Sequence, residues 1–181
     1  MNKIPEIKDF ISILPAVIVI CAGLIQLVFQ FILGSKSNLY IRLLTIFALI
    51  ASLYSISISG DKGLYFNGQI SLTPITVWLN VIYVITALLT VIASPKALLD
   101  HNISFPEFYP LVLFSVAGMF FMTTSFDLIL IFVGLEVLSV SLYILIGMAR
   151  NEMNALEATM KYFLLGAFSS GFMLMGIAFL F

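Results

Sequence analysis

The stretch from Ile11 to Leu33 contains no charged residue and, as a helix, is long enough to cross a lipid bilayer. A hydrocarbon core of about 30 Å is crossed by about 20 helical residues that each rise about 1.5 Å. Five further windows reach this length or nearly so, at 39–59, 72–93, 106–125, 126–149 and 155–181. Their hydrophobicity is continuous and does not alternate, which excludes membrane-spanning strands. The sequence therefore predicts an all-α, polytopic membrane protein with about six transmembrane helices.

Composition supports the same class of protein. Of 181 residues, 62% are apolar and only 9% are charged. Soluble domains carry about 45–50% apolar and about 25% charged residues, so the main solvent of this chain is the lipid bilayer. No run of basic residues is present that could neutralise phosphates, which excludes nucleic acid as a partner.

The segments between the spans give further expectations. The loop from Gly60 to Ser71 is rich in glycine and polar residues and is expected to be exposed. Ser94, Pro95 and Lys96 are expected to end the third helix, because proline is common just after a helix terminus. Cys21 is expected to be a small buried residue within the first span. The last residue, Phe181, still lies in an apolar run, so we expect the chain to be part of a longer protein.

Glu136 is the strongest functional signal in the sequence. Eight uncharged residues separate it from Asp127, and thirteen follow it before Arg150. This spacing places the carboxyl roughly 12–15 Å from the nearer end of its helix, near the bilayer midplane. An ionised side chain there costs at least about 2.5–3.5 kcal/mol. The residue is therefore predicted to be protonated, paired, or facing water inside the protein. A proton or cation role is favoured over a purely packing role, since glutamine would serve packing without a titratable group.

Lys161 is the second candidate. Twenty uncharged residues follow it, so it could also lie at the membrane edge with its amine directed to water. Glu157 precedes it by four residues, in the favourable order for a helical ion pair. Together, Glu136 and Lys161 form a plausible relay for protons or charge.

Smaller residues near these two positions are expected to have structural roles. Gly134 beside Glu136, and Gly166 with Ser170 after Lys161, would let helices approach closely. Asp127 is expected to cap the fifth helix. The only histidine, His101, lies in a polar loop without a set of partner ligands near it, so neither a metal nor another cofactor is expected in this chain.

Four segments carry a family resemblance, and they occur in order along the second half of the chain. They are Glu107–Leu111 (EFYPL), Phe126–Leu128 (FDL), Gly134–Ser139 (GLEVLS) and Glu157–Ala167 (EATMKYFLLGA). This part of the sequence resembles the antiporter-like subunit family of respiratory complex I, in particular the amino-terminal part of subunit N of bacterial NADH-quinone oxidoreductase. The first three helices match that family only in number and hydropathy.

The resemblance implies more than the spacing does. It implies a fold of about fourteen transmembrane helices with inverted repeats, in which 1–105 would hold helices 1 to 3 and 106–181 would begin the first repeat. It also implies proton translocation through Glu136 and Lys161 in a bacterial inner membrane. Other membrane-arm subunits of complex I would be partners, and FMN, iron–sulfur clusters and quinone would lie in partner subunits.

Two other functions remain open at this point. Subunits of multisubunit sodium/proton antiporters share the glutamate of the fifth helix. A membrane scaffold, in which Glu136 is a neutral packing residue, is the third alternative.

Overall fold

The computed structural model describes residues 6–33, 38–59, 63–100, 105–150 and 152–180, and these residues form six α-helices. The helices are α1 (Ile7–Leu33), α2 (Asn38–Ile58), α3 (Pro74–Asp100), α4 (Phe108–Thr124), α5 (Leu128–Ile146) and α6 (Met153–Leu180). All except α4 are long and apolar enough to cross a membrane, and α4 is the shorter helix that the sequence predicted. The prediction of an all-α membrane protein with about six helices is confirmed.

The helix α4 forms the centre of the bundle. It is apolar on all sides, and most of its residues are buried, as expected for a helix without a polar face. It packs mainly against α1, α3 and α5. The last helix, α6, packs on α5 and leaves most of its surface exposed. Cys21 is exposed on α1, so the expectation that it is buried is wrong.

Buried polar side chains join α1 to α2. The Gln26 amide nitrogen donates to the Thr45 hydroxyl oxygen at 3.1 Å, and Thr45 in turn donates to the Ile41 carbonyl at 2.8 Å. Ser52 donates to the Pro15 carbonyl at 3.2 Å. Because each donor finds an acceptor, these groups are buried without a large desolvation penalty.

The third helix does not end at Pro95 but continues to Asp100, so the expected helix end is wrong. A proline inside a helix lacks the N–H that would bond the carbonyl four residues earlier. Here that carbonyl belongs to Val91, and the Ser94 hydroxyl donates to it at 2.9 Å. The serine thus replaces the missing backbone donor, which allows the helix to pass through the proline.

A related arrangement occurs at Pro15 of α1. Pro15 frees the carbonyl of Ile11, which accepts a hydrogen bond from the Ser59 hydroxyl at 3.1 Å. The carbonyl of Pro106, which lies just before α4, accepts a hydrogen bond from the Gln30 amide at 2.6 Å. In both cases the donor lies on another helix or at its end, so these two hydrogen bonds also join separate parts of the bundle.

The segment between α2 and α3 is a hairpin rather than an exposed loop. Its strands, β1 (Gly63–Tyr65) and β2 (Ile70–Leu72), pair antiparallel, and all three residues of β2 are buried. The expectation of an exposed segment is therefore wrong for β2, while Gly60 to Lys62 lie outside the described residues. The hairpin closes the end of α4, because Phe126 N–H donates to the Gln69 carbonyl at 2.8 Å.

Candidate functional site

Glu136 lies in the middle of α5, eight residues after Leu128 and ten before Ile146. Along the helix axis, Glu136 is therefore about 12 Å from one end of α5 and about 15 Å from the other. The residue is half-buried. The structure thus places the acidic group at the depth that the sequence predicted.

A close contact between two glycines fixes α5 against α4. A Cβ atom at Gly118 would lie 2.6 Å from the Gly134 carbonyl oxygen and 2.8 Å from the backbone nitrogen of Leu138. A Cβ atom at Gly134 would lie 2.9 Å from the Gly118 carbonyl oxygen. The two backbones are therefore in direct contact, as small residues permit in membrane helices. Gly134 was predicted to have such a role, but its partner Gly118 was not, because it lies outside the motifs around Glu136.

The beginning of α5 is held by Asp127. Its side chain accepts a hydrogen bond from the Ile129 N–H at 2.8 Å, so the predicted cap is confirmed. The Ser125 hydroxyl oxygen accepts from the Asp127 N–H at 3.0 Å. These contacts set the start of the helix and, through it, the depth of Glu136.

Tyr143 fills the interface between α5 and α6. Its ring contacts Tyr162 and Phe163 edge to face, with centroid distances of 5.0 and 5.8 Å. Its hydroxyl lies against Gly166, and a Cβ atom added there would come within 2.6 Å of the tyrosine Cζ. The predicted packing role of Gly166 is thus confirmed, whereas a Cβ at Gly171 would meet nothing.

The contacts between these two helices also give their register. A Cβ atom at Gly147 would contact Thr159, and the Tyr143 ring contacts Phe163. Residues of the two antiparallel helices that lie at the same level therefore have numbers that add to about 306. By the same register, Ser170 lies level with Glu136. The partly buried residues of α6 recur at helical spacing, and they are Ala155, Thr159, Gly166, Ser170 and Met173, followed by the buried Ile177. Ser170 therefore faces α5 at the depth of the carboxyl group.

Lys161 lies on a different face of α6. It forms an ion pair with Glu157, as the sequence predicted, and these side chains are 70% and 60% exposed. Lys161 precedes Gly166 by five residues, which rotates it by about 140° from the face that contacts α5. The register places it about 14 Å from Glu136 along the helix axis. The structure therefore does not bring Glu136 and Lys161 together.

No group of three His, Cys, Asp or Glu side chains within the described ranges is arranged to hold a metal ion. His101 lies outside those ranges.

Two residues near Glu136, Tyr143 and Ser170, were not singled out as a pair by the sequence. The available signal was the seven-residue spacing from Glu136 to Tyr143, which places both on one face of α5.

Comparisons with known proteins agree with this architecture. Residues 125–181 match the family model described as NADH:quinone oxidoreductase/Mrp antiporter, transmembrane. A chain of respiratory complex I from Thermus thermophilus, solved with bound aureothin, superposes with a TM-score of 0.74. That chain is 27% identical in sequence, and the match covers 91% of this chain and 35% of the other.

Two relatives match over almost all of this chain. NADH-quinone oxidoreductase subunit N of Leptospira biflexa is 48% identical over 185 residues, and that of Leptospira interrogans is 46% identical over 184. The matches cover 100% and 99% of this chain but only 38% and 36% of the two relatives. The membrane-spanning helices and the bacterial relatives indicate a multi-pass protein of the bacterial inner membrane. The chain belongs to the NADH-quinone oxidoreductase subunit N family and corresponds to the amino-terminal part of its members.

Proposed function

We propose that this chain forms the amino-terminal part of a proton-translocating membrane-arm subunit of NADH-quinone oxidoreductase, with Glu136 as a proton-exchanging group. The observation that carries the proposal is one half-buried acidic residue held halfway along an apolar helix. An ionised carboxyl at this depth costs at least about 2.5–3.5 kcal/mol, so acidic residues are rare at such positions and typically mark proton or ion pathways. A group of this kind can accept and release a proton inside the membrane.

Lys161 acts as a second charged group in this proposal, but not by direct exchange with Glu136. Its partner is Glu157, on the face of α6 that points away from α5. The pair would respond to charge on that face, where the remainder of a longer subunit could pack. Lys161 and Glu136 would then influence each other through intervening groups.

The energy source lies outside this chain in the proposal. Moving one elementary charge against the membrane potential requires about 2.3 kcal/mol per 100 mV. Electron transfer through FMN, iron–sulfur clusters and quinone in partner subunits would supply it. Other membrane-arm subunits are the proposed neighbours within the bilayer.

The domain organisation is part of the same proposal. Residues 1–105 would form helices 1 to 3, and residues 106–181 would begin the first inverted repeat of a fold with about fourteen helices. The similarity of α1–α6 to a chain of complex I supports this assignment.

The test is the substitution Glu136→Gln in the complete enzyme, in inner-membrane vesicles. Glutamine keeps the size and hydrogen-bonding capacity of the side chain but cannot exchange a proton at this position. We expect assembly to be retained while NADH-driven proton translocation and coupled quinone reduction fall. Glu152→Gln, an exposed residue before α6, is the matched control and should leave both activities unchanged.

Two outcomes would contradict the proposal. Normal proton translocation by the Glu136→Gln enzyme would remove the role of the carboxyl group. Sodium-dependent proton movement in vesicles without NADH and quinone would instead indicate a sodium/proton antiporter subunit. The subunit N identity of the close relatives favours the complex I function.

A further inference from the structure

The interface between α5 and α6 contains hydroxyl groups from the level of Glu136 toward the carboxyl-terminal end of α5. Tyr143 lies seven residues after Glu136, which gives an angular offset of only about 20° on the helix. Its hydroxyl reaches Gly166 of α6. In the register of the two helices, Gly166 is level with Val140 of α5. The phenol oxygen therefore lies about 6 Å from the level of Glu136 along the axis.

Ser170 lies one helical turn after Gly166 on α6. It is level with Glu136 and belongs to the face of α6 that contacts α5. Side chains on a helix tilt toward its amino terminus, so Ser170 of α6 and Tyr143 of α5 tilt toward each other along the antiparallel axes. Glu136 tilts toward the start of α5, so water is required between its carboxyl group and the two hydroxyls. The serine hydroxyl donates to the Gly166 carbonyl at 3.0 Å, which leaves its oxygen able to accept a hydrogen bond.

We propose that Tyr143 and Ser170 are positioning residues that connect Glu136 to the membrane face where α5 ends and α6 begins. Both hydroxyls donate and accept hydrogen bonds, so with intervening water they form a chain along which a proton moves without a net change in either residue. Gly166 is part of the arrangement, because any larger residue would displace the Tyr143 ring. The inference rests on the proposed function of Glu136 and adds the side from which its proton is exchanged.

Packing at this interface is consistent with a retained hydroxyl rather than a phenylalanine ring alone. The Tyr143 ring already makes edge-to-face contacts with Tyr162 and Phe163, which phenylalanine would make equally well. The tyrosine oxygen is directed at Gly166, a residue without a side chain. Removing only this oxygen therefore separates a proton-transfer role from a packing role.

The test uses Tyr143→Phe and Ser170→Ala in the complete enzyme. Each is expected to lower NADH-driven proton translocation roughly fivefold, the factor that the loss of one net hydrogen bond is worth. Each is also expected to increase the solvent deuterium isotope effect on translocation, which a structural role would not change. The matched controls are Tyr54→Phe and Ser57→Ala. Tyr54 is 69% exposed on α2, and Ser57 donates to the carbonyl four residues earlier, as Ser170 does.

Glu136→Gln is measured beside these variants so that the two proposals are separated. Wild-type translocation and isotope effect in both Tyr143→Phe and Ser170→Ala, with translocation lost in Glu136→Gln, would overturn the hydroxyl connection and leave the proposed function standing. Full activity of Glu136→Gln would overturn the proposed function itself. A variant could also show lower activity because less enzyme is assembled. Translocation rates are therefore normalised to the NADH dehydrogenase activity measured with an artificial electron acceptor. Ser170→Ala then provides the independent result.

Discussion

Gly118 and Gly134 meet backbone to backbone where α4 crosses α5, so that a Cβ atom on Gly118 would lie 2.6 Å from the Gly134 carbonyl oxygen. This contact lies two residues from Glu136 on the opposite face of α5. Since α4 is buried at the centre of the bundle, the contact fixes the rotation of α5 about its axis. Because neither glycine has a Cβ atom, the two helices can make this contact, and the contact sets the direction in which Glu136 points.

Gly118→Ala is expected to destabilise the protein by about 1–3 kcal/mol, the usual effect of overpacking a dense interface. The added methyl group would contact backbone atoms of α5, which cannot move without separating the helices. Unfolding of the purified protein in detergent, followed by circular dichroism, measures the change. Gly171→Ala is the control, because a Cβ there meets nothing within 4 Å, and its stability should equal or slightly exceed that of the wild type. Equal stabilities of the Gly118→Ala protein and the wild type would show that the crossing is looser than described.

The separation of Lys161 from Glu136 gives a prediction for double-mutant cycles. Lys161→Gln and Glu136→Gln are expected to affect proton translocation additively, within about 0.5 kcal/mol when rates are converted to free energies, because distant sites do not couple directly. Lys161→Gln and Glu157→Gln are expected to be non-additive, since the two residues form an ion pair and each single change leaves the other charge alone. Strong coupling between Lys161 and Glu136 would instead indicate a direct exchange between them.

The hydrogen bond at Pro95 gives a third prediction. Ser94→Ala leaves the Val91 carbonyl without its donor and should lower the free energy of unfolding by about 1–3 kcal/mol. In a Pro95→Ala background the backbone N–H returns, so the same serine substitution should have a much smaller effect. Thermal unfolding of the four proteins in detergent measures both changes. An equal cost of Ser94→Ala in the two backgrounds would show that the serine does not replace the missing backbone donor.

Much of the membrane architecture follows from the sequence alone. Apolar windows of about 20 residues fix the number of spans, because every backbone polar group in lipid must be bonded within its own helix. The same argument placed Glu136 at mid-depth, since axial position depends only on counting residues from the helix ends. Asp127 as a cap and Glu157 with Lys161 as an ion pair were also predictable, because both involve partners within a few residues.

Only the tertiary structure decided the rotation of the helices and the partners of distant groups. The sequence could not show that α3 passes through Pro95, that Ser59 bonds a carbonyl freed by another proline, or that the strand Ile70–Leu72 is buried. Nor could it show that Lys161 points away from α5 while Tyr143 and Ser170 lie on the side of Glu136. Lipid solvates all faces of an apolar helix almost equally, so hydrophobicity sets the depth of a residue but not its direction. Direction comes from close packing, here from Gly118 against Gly134 and from Tyr143 against Gly166.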